Sequence, residues 1–188
     1  MKTITVKLKS ESTYSQSRYL SIEKLPKESA EDYDKRVWRD KAHSDAEDNV
    51  YIPPMAFKRA LDEAAKRNGK QIAGKGKATY TKHFVAGVLC TDPVYVGMTK
   101  KDLVCRAQPV DAQGKKGSAG GTMVVRRFPD IPSWEAEVTF YIVNDIITEE
   151  VFEEFLREAG LLVGIGTFRP ENGGYYGRFS VESINWPN

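Results

Sequence analysis

The sequence predicts an α+β fold, and three observations carry the prediction. Residues 3–8 and 135–143 alternate apolar and polar side chains at the two-residue period of half-buried strands. Residues 53–69 and 148–160 carry amphipathic helical stripes with clear start and stop signals. Between and after them, shorter apolar runs give the order strand, helix, strand, strand, helix, strand.

In the first strand Ile4, Val6 and Leu8 alternate with Thr5 and Lys7. A long polar segment follows, residues 10–49, with little sustained periodicity except for a short helix at 29–40, and is expected to be an insertion. Pro53-Pro54 opens the first main helix, because proline is tolerated in a first turn, and Phe57, Ala60, Leu61, Ala64 and Ala65 form its apolar stripe up to the Asn68-Gly69 stop. Residues 83–89 read as a second strand with Phe84, Ala86 and Val88 on one face. Two apolar arms around the glycine- and lysine-rich tip at 114–121 predict a β-hairpin that projects from the body, within a second insertion at about 98–130. Ala136, Val138, Phe140 and Ile142 point inward from the third strand. Thr148 caps the second main helix, Glu149 and Glu150 suit its dipole, and Val151, Phe152, Phe155, Leu156 and Ala159 make its stripe. Residues 179–184 are the last strand. Two crossovers in this order give a ferredoxin-like, RRM-type sheet (βαββαβ) with both helices on one face. Its other face stays open, and single-stranded nucleic acid is a common ligand there.

A chain of 188 residues, 40% apolar, fits one such domain spanning 1–188. No apolar run approaches the roughly 20 residues needed to cross a bilayer, and the alternating N-terminus is not a signal-peptide core, so no membrane partner and a cytoplasmic location are expected. Cys90 and Cys105 are too few for a disulfide scaffold and lack zinc-site spacing; they are expected as buried or half-buried thiols, with no metal and no cofactor.

Charge is segregated along the chain. Residues 65–129 hold thirteen Lys or Arg against three Asp, residues 130–163 hold nine acids against Arg157, and residues 11–48 hold ten acids against seven bases. A fold that keeps these blocks apart presents one face to a polyanion. Within residues 69–83, three glycines give reach, Lys70, Lys75, Lys77 and Lys82 neutralise phosphate, and Tyr80 offers a ring for stacking. The phosphate-loop pattern Gly-x-x-x-x-Gly-Lys-Ser/Thr is absent from this segment, so nothing there supports nucleotide hydrolysis. Near the end of the chain, residues 163–181 interleave five glycines with aromatics and arginines. Glycine lets backbone amides approach an anionic chain, while Arg169, Tyr175, Tyr176 and Arg178 supply charge and stacking faces.

These motifs resemble the RAMP superfamily, the repeat-associated mysterious proteins of CRISPR ribonucleoprotein complexes, and within it the backbone-subunit branch. Val50-Tyr-Ile-Pro-Pro-Met-Ala-Phe-Lys-Arg-Ala-Leu61 is similar to the family motif that enters the first helix after a long loop. Pro54-Met55-Ala56 stands where the family carries glycine and serines, whereas Lys58 and Arg59 match its basic helix start. Residues 164–178 resemble the glycine-rich loop before the family's final strand, and the hairpin sits where backbone subunits carry a thumb. The resemblance implies binding of single-stranded RNA, a thumb flanked by Lys115, Lys116, Arg126 and Arg127, and partnership with copies of the chain or with other CRISPR subunits. The polarised charge fits head-to-tail homo-oligomers.

The expected function is therefore sequence-independent binding of a single strand through backbone and stacking contacts, without catalysis. Other classes remain open on sequence: a phage single-stranded DNA-binding or annealing protein, a viral decoy of a CRISPR subunit, or a RAMP-type endoribonuclease. Asp40, His43, Asp45 and Asp48 lie where some family members place a catalytic group, and a general base or metal ligands would come from that set.

Overall fold

The alternation at the start of the chain forms β1 (Lys2–Ser10), which fully buries Ile4, Val6 and Leu8. The computed structural model describes residues 1–112 and 122–187. Along the chain follow β2 (Tyr14–Ser15), α1 (Ala30–Val37), β3 (Asn49–Ile52), α2 (Pro54–Asn68), α3 (Thr81–Gly87), β4 (Val88–Leu89), β5 (Val94–Thr99), β6 (Val104–Asp111), β7 (Met123–Ile131), β8 (Glu135–Ile142), α4 (Glu149–Glu158) and β9 (Phe179–Asn185). The main sheet has the order β4-β8-β1-β9 with every neighbouring pair antiparallel. A second sheet has the order β2-β7-β6, and a third pairs β3 with β5. The protein is thus a mixed α+β fold of antiparallel sheets with four α-helices among the described residues.

The two long helices cover one face of the main sheet. Pro54 sits in the first turn of α2, the stripe from Phe57 to Ala65 is buried, and Gly69 closes the helix. The Thr148 hydroxyl accepts from the Val151 amide, so α4 starts where the capping pattern put it. Phe57 meets Phe179 at 5.7 Å between ring centroids, and Phe152 meets Phe140 at 5.4 Å, which fastens each helix to a strand. Successive strand residues face opposite ways, so the uncovered face carries Lys7, Glu135, Glu137 and Tyr141. Lys7 is paired with Glu135, and Tyr141 donates to Asp92 at 3.0 Å. That face is neutralised and holds few rings, which makes it a poor platform for a polyanion.

Several expectations need correction. The second strand expected at 83–89 is mostly α3, and only Val88 and Leu89 pair with β8. The winning pattern is helical: Tyr80, Phe84, Gly87 and Val88 are buried at i, i+4, i+7 and i+8, while Val85 and Ala86 face water. The 10–49 insertion is more ordered than its composition suggests. Ser29 caps α1 by accepting from the Asp32 amide at 3.1 Å, and a 3₁₀ turn, Trp38–Lys41, follows. The β3 and β5 pair has no counterpart in the sequence reading, because Gly97 breaks the alternation that buries Val94 and Val96. Cys90 is buried as expected, and burial pushes its thiol up to about 12, but Cys105 is exposed, next to Arg106 in β6 and so on the opposite face of that strand. Among the described residues no helix is long and apolar enough to cross a membrane.

The hairpin arms are β6 and β7, paired from Val104↔Asp130 to Asp111↔Met123. No residue of β6 is buried, and burial on β7 begins only at Phe128, so the arms stand out from the body. The tip, with Lys115 and Lys116, lies outside the described residues.

Beyond α4 the chain makes a π turn, Ala159–Val163, pressed against β9. A Cβ at Gly160 would lie 2.1 Å from the Phe179 carbonyl oxygen, so no larger residue fits without moving backbone. Gly160→Ala should therefore lower stability by about 1–3 kcal/mol in urea unfolding. An unchanged midpoint would mean that the turn is not packed this way.

Candidate nucleic-acid interface

Arg106, on the inner arm of the hairpin, joins the hairpin to the glycine-rich loop. Its Nε donates to Asp130 at 2.7 Å, Nη2 donates to the Ser15 hydroxyl at 2.9 Å, and Nη1 is bonded to Gln108. The guanidinium carbon also lies 5.0 Å from the Phe128 ring centroid, 4.9 Å from Phe168 and 4.5 Å from Tyr176. Asp130 is buried, so the pair is desolvated; the guanidinium has further hydrogen bonds, whereas Asp130 Oδ1 has no partner among the described residues. A planar guanidinium can lie against rings while its edge bonds a carboxylate, which an ammonium cannot do. Nothing in the sequence singled out Arg106 beyond its place in the basic block.

The glycine-rich loop is held differently from what its composition suggests. The amides of Gly164, Gly173, Gly174 and Gly177 donate to the carbonyls of Ala159, Pro170, Arg169 and Thr13, so they are closed off within the protein instead of facing an anion. Gly177 illustrates the demand for glycine: its φ is +73°, and a Cβ there would lie 1.9 Å from the Ile165 carbonyl oxygen. The loop offers side chains instead. Arg169 is bonded to Glu171 at 2.6 Å, and Arg178 donates to the Leu161 carbonyl at 3.1 Å and to the Tyr175 carbonyl at 3.3 Å. Tyr175 stacks on Tyr176 with centroids 4.5 Å apart. The bond from Tyr175, followed by partial burial, raises the Tyr176 phenol above its usual value.

Between hairpin and loop lies a cleft of about 960 Å³, with Gln108, Pro109 and Met123 on one wall and Phe168, Tyr175 and Tyr176 on the other. Arg169 lines this cleft and two smaller ones that continue past Arg59 at the start of α2 and along Lys66 and Thr81. The three clefts form one path from the hairpin across the exposed side of α2 to the start of α3.

The remaining sequence candidates divide according to their partners. Lys58 is 6% exposed; its ammonium is bonded to Asp62 and donates to the carbonyls of Phe84 and Val85 at 3.0 and 3.1 Å. Tyr80 is buried with its ring edge on Phe155, so it packs in the core and offers no free face. Lys70 is paired with Glu154. The Arg127 amide donates to Asp34 at 2.5 Å while its guanidinium approaches Glu31 at 3.5 Å, and Arg126 approaches Asp34 at 3.8 Å. These two arginines brace the hairpin base against α1. Arg59, Lys75, Lys77 and Lys82 are exposed and carry no ion pair among the described residues.

The acidic loop serves the local chain. Asp45 accepts from the Glu47 and Asn49 amides at 2.9 Å and from the Asn49 side chain at 3.0 Å, and that side-chain bond is the leading reason its carboxyl titrates below the usual range. Asp40 and Asp48 both pair with Lys100 at 3.1 Å. His43 lines the cleft beside Arg59, and burial, helped by Arg18, holds its pKa below the usual value. No group of three His, Cys, Asp or Glu suited to a metal occurs among the described residues.

No protein-family model and no curated protein matches this sequence. Among solved structures the chain is similar to a chain in the cryo-EM structure of the Type III-B Cmr-beta bound to cognate target RNA. The two are 15% identical with a TM-score of 0.52, over 98% of this chain and 60% of that one. It is also similar to Cmr6 from Pyrococcus furiosus, 13% identical with a TM-score of 0.49, over 96% of this chain and 98% of that one. The likeness is one of fold, and this chain spans only 60% of the length of the Cmr-beta chain.

Removing Arg106 leaves the buried Asp130 carboxylate without its cation. Arg106→Met should lower the unfolding free energy by about 3–5 kcal/mol, and Arg106→Met/Asp130→Leu should lose less than the single variant because no charge is left unpaired. A double variant that loses the sum of both single changes would show that the two side chains are not coupled.

Proposed function

We propose that the protein is a RAMP-type subunit with a ferredoxin-like, RRM-type sheet that binds single-stranded RNA without reading its sequence. The observation that carries this reading is the path of clefts from the hairpin to α3. Arg169 and Arg59 border it, and the unpaired cations Lys75, Lys77 and Lys82 lie in the segment that leads into α3 and along its first turn. The strand order β4-β8-β1-β9, with α2 and α4 on one face, agrees with the ferredoxin-like arrangement. RNA is favoured over DNA by the fold likeness to a chain of the Cmr-beta complex, which is described bound to target RNA.

In this reading phosphates run along the helical side of the molecule, and the uncovered sheet face takes no part. Arg59, Arg169, Arg178, Lys75, Lys77 and Lys82 neutralise the strand, together with Lys115 and Lys116 from the sequence between the hairpin arms, and the arms extend the path as a thumb. Lys58, Lys70, Tyr80, Arg126 and Arg127 act inside the protein as supports for these elements. Copies of the chain and other subunits of a cytoplasmic CRISPR complex are its protein partners. The exposed acids Glu149 and Glu150 at the head of α4 supply the acidic side of a head-to-tail contact.

Binding by phosphate neutralisation falls steeply with salt, with a slope of roughly 0.7 per phosphate on a single strand. Replacing Lys75 and Lys77 with alanine should reduce both the affinity for a labelled single-stranded RNA and the magnitude of the log–log salt slope, by about 0.7 for each lysine engaged. An unchanged slope would remove the 70–82 segment from the interface. Failure of the parent protein to bind single-stranded RNA would overturn the function.

A further inference from the structure

The cleft at the start of α2 holds about 360 Å³, and Tyr14, Ser17, His43, Arg59, Thr167 and Arg169 are among the residues that line it. Arg59 and Arg169 can only donate, which suits phosphate oxygens. His43 offers something else. Burial, helped by Arg18, holds its pKa below the usual value, so the ring is neutral near pH 7 and carries one donor and one acceptor. Neither ring nitrogen has a hydrogen-bond partner among the described residues. The ring is nevertheless held in place: the His43 amide donates to the buried Gln16 side chain at 3.0 Å, and the imidazole lies against Tyr51 at 5.8 Å between centroids. The charged and titratable groups around it are Arg18, Arg59, Arg169, Tyr14 and Tyr51, and no carboxylate contributes to its shift. The hydroxyls of the cleft are less suited to a ligand, since Thr167 donates to the Ser15 carbonyl at 3.3 Å, Tyr14 is buried and Ser17 is open to water.

We infer that His43 reads a ribose 2′-hydroxyl of the bound strand and is the residue that separates RNA from DNA. The inference rests on the RNA-binding reading above and deepens it by naming the group that recognises the sugar. A 2′-hydroxyl both donates and accepts, and it lies beside the 3′-phosphate of its own nucleotide. A strand whose phosphate is held by Arg59 and Arg169 therefore brings that hydroxyl into the cleft that His43 lines. The two arginines serve RNA and DNA alike, because phosphate contacts carry no information about the sugar. The neutral imidazole does discriminate: ribose answers its donor or its acceptor, whereas deoxyribose covers the ring and leaves both unpaired.

The test measures binding of labelled single strands of one sequence, as RNA, DNA and 2′-fluoro RNA, to the parent protein and to His43→Phe at about pH 8, above the ordinary histidine value. The fluoro strand keeps the sugar pucker of RNA but lacks the hydroxyl, so it separates contact from shape. The parent should bind RNA about tenfold more tightly than either of the others. His43→Phe keeps a ring against Tyr51 and should bind RNA only as well as DNA, with DNA affinity and salt slope unchanged. Fluoro RNA bound as tightly as RNA by the parent, or equal weakening of RNA and DNA by His43→Phe, would overturn the assignment. Shortened RNA recovered from the mixture would also overturn it, because the imidazole would then be removing the hydroxyl proton instead of pairing with it. If the parent binds RNA and DNA equally, the hydroxyl contact fails and single-strand binding stands. If it binds no strand, both fail together.

Discussion

The arrangement of this protein depends on the Arg106 guanidinium. Three segments distant in sequence converge on it: β2 through Ser15, β7 through Phe128 and Asp130, and the glycine-rich loop through Phe168 and Tyr176. A buried ion pair carries a desolvation cost that Coulomb attraction offsets only when the remaining donors and acceptors are also satisfied. Here the hydroxyl, the amide and three rings satisfy the guanidinium at one orientation of the hairpin base, while Asp130 Oδ1 stays buried without a hydrogen-bond partner among the described residues. Orientation follows from that: with Arg106 seated, the hairpin stands beside the loop and the cleft between them exists.

The same logic sorts the charge of the basic block. Lys70, Lys100, Arg106, Arg126 and Arg127 face carboxylates contributed by other parts of the chain, and Lys58, just before the block, faces Asp62 one turn along α2, so all six serve folding. Lys75, Lys77 and Lys82 keep exposed charges with no partner among the described residues, and Arg59 does so beside Arg169. The segregation seen along the sequence is thus partly consumed in internal pairs, and of the cations left exposed Lys75, Lys77 and Lys82 lie in the segment that leads into α3 and in its first turn. The glycine-rich loop follows a similar rule, since its amides complete the local fold and leave arginine and tyrosine side chains at the surface.

Elements whose periodicity extends over two or more turns, or over six or more strand residues, were legible in the sequence: β1, β8, α2, α4 and the hairpin arms. Residues 83–89 were misread because Phe84, Ala86 and Val88 fit a strand and the helix stripe begins earlier, at Tyr80. The roles of Lys58 and Tyr80 were hidden for a related reason: composition identifies a cation or a ring, but burial depends on the helix face on which it falls, and Asp62 lies one turn from Lys58. Arg106 was beyond reach because its partners other than Gln108 lie between 22 and 91 residues away, and no local pattern brings Phe128, Phe168 and Ser15 together. A weak signal was present in Arg106 and Gln108, polar residues at alternate positions of an exposed strand opposite Phe128 and Arg126.

The most direct measurement of where the strand runs is photocrosslinking of a 4-thiouridine-substituted single-stranded RNA to the protein, with the attachment sites mapped by mass spectrometry. The account predicts crosslinks at Tyr175 and along the cleft wall formed by the hairpin. Crosslinks concentrated on Tyr141 and its neighbours on the uncovered sheet face would contradict it, because they would place the strand on the opposite side of the molecule.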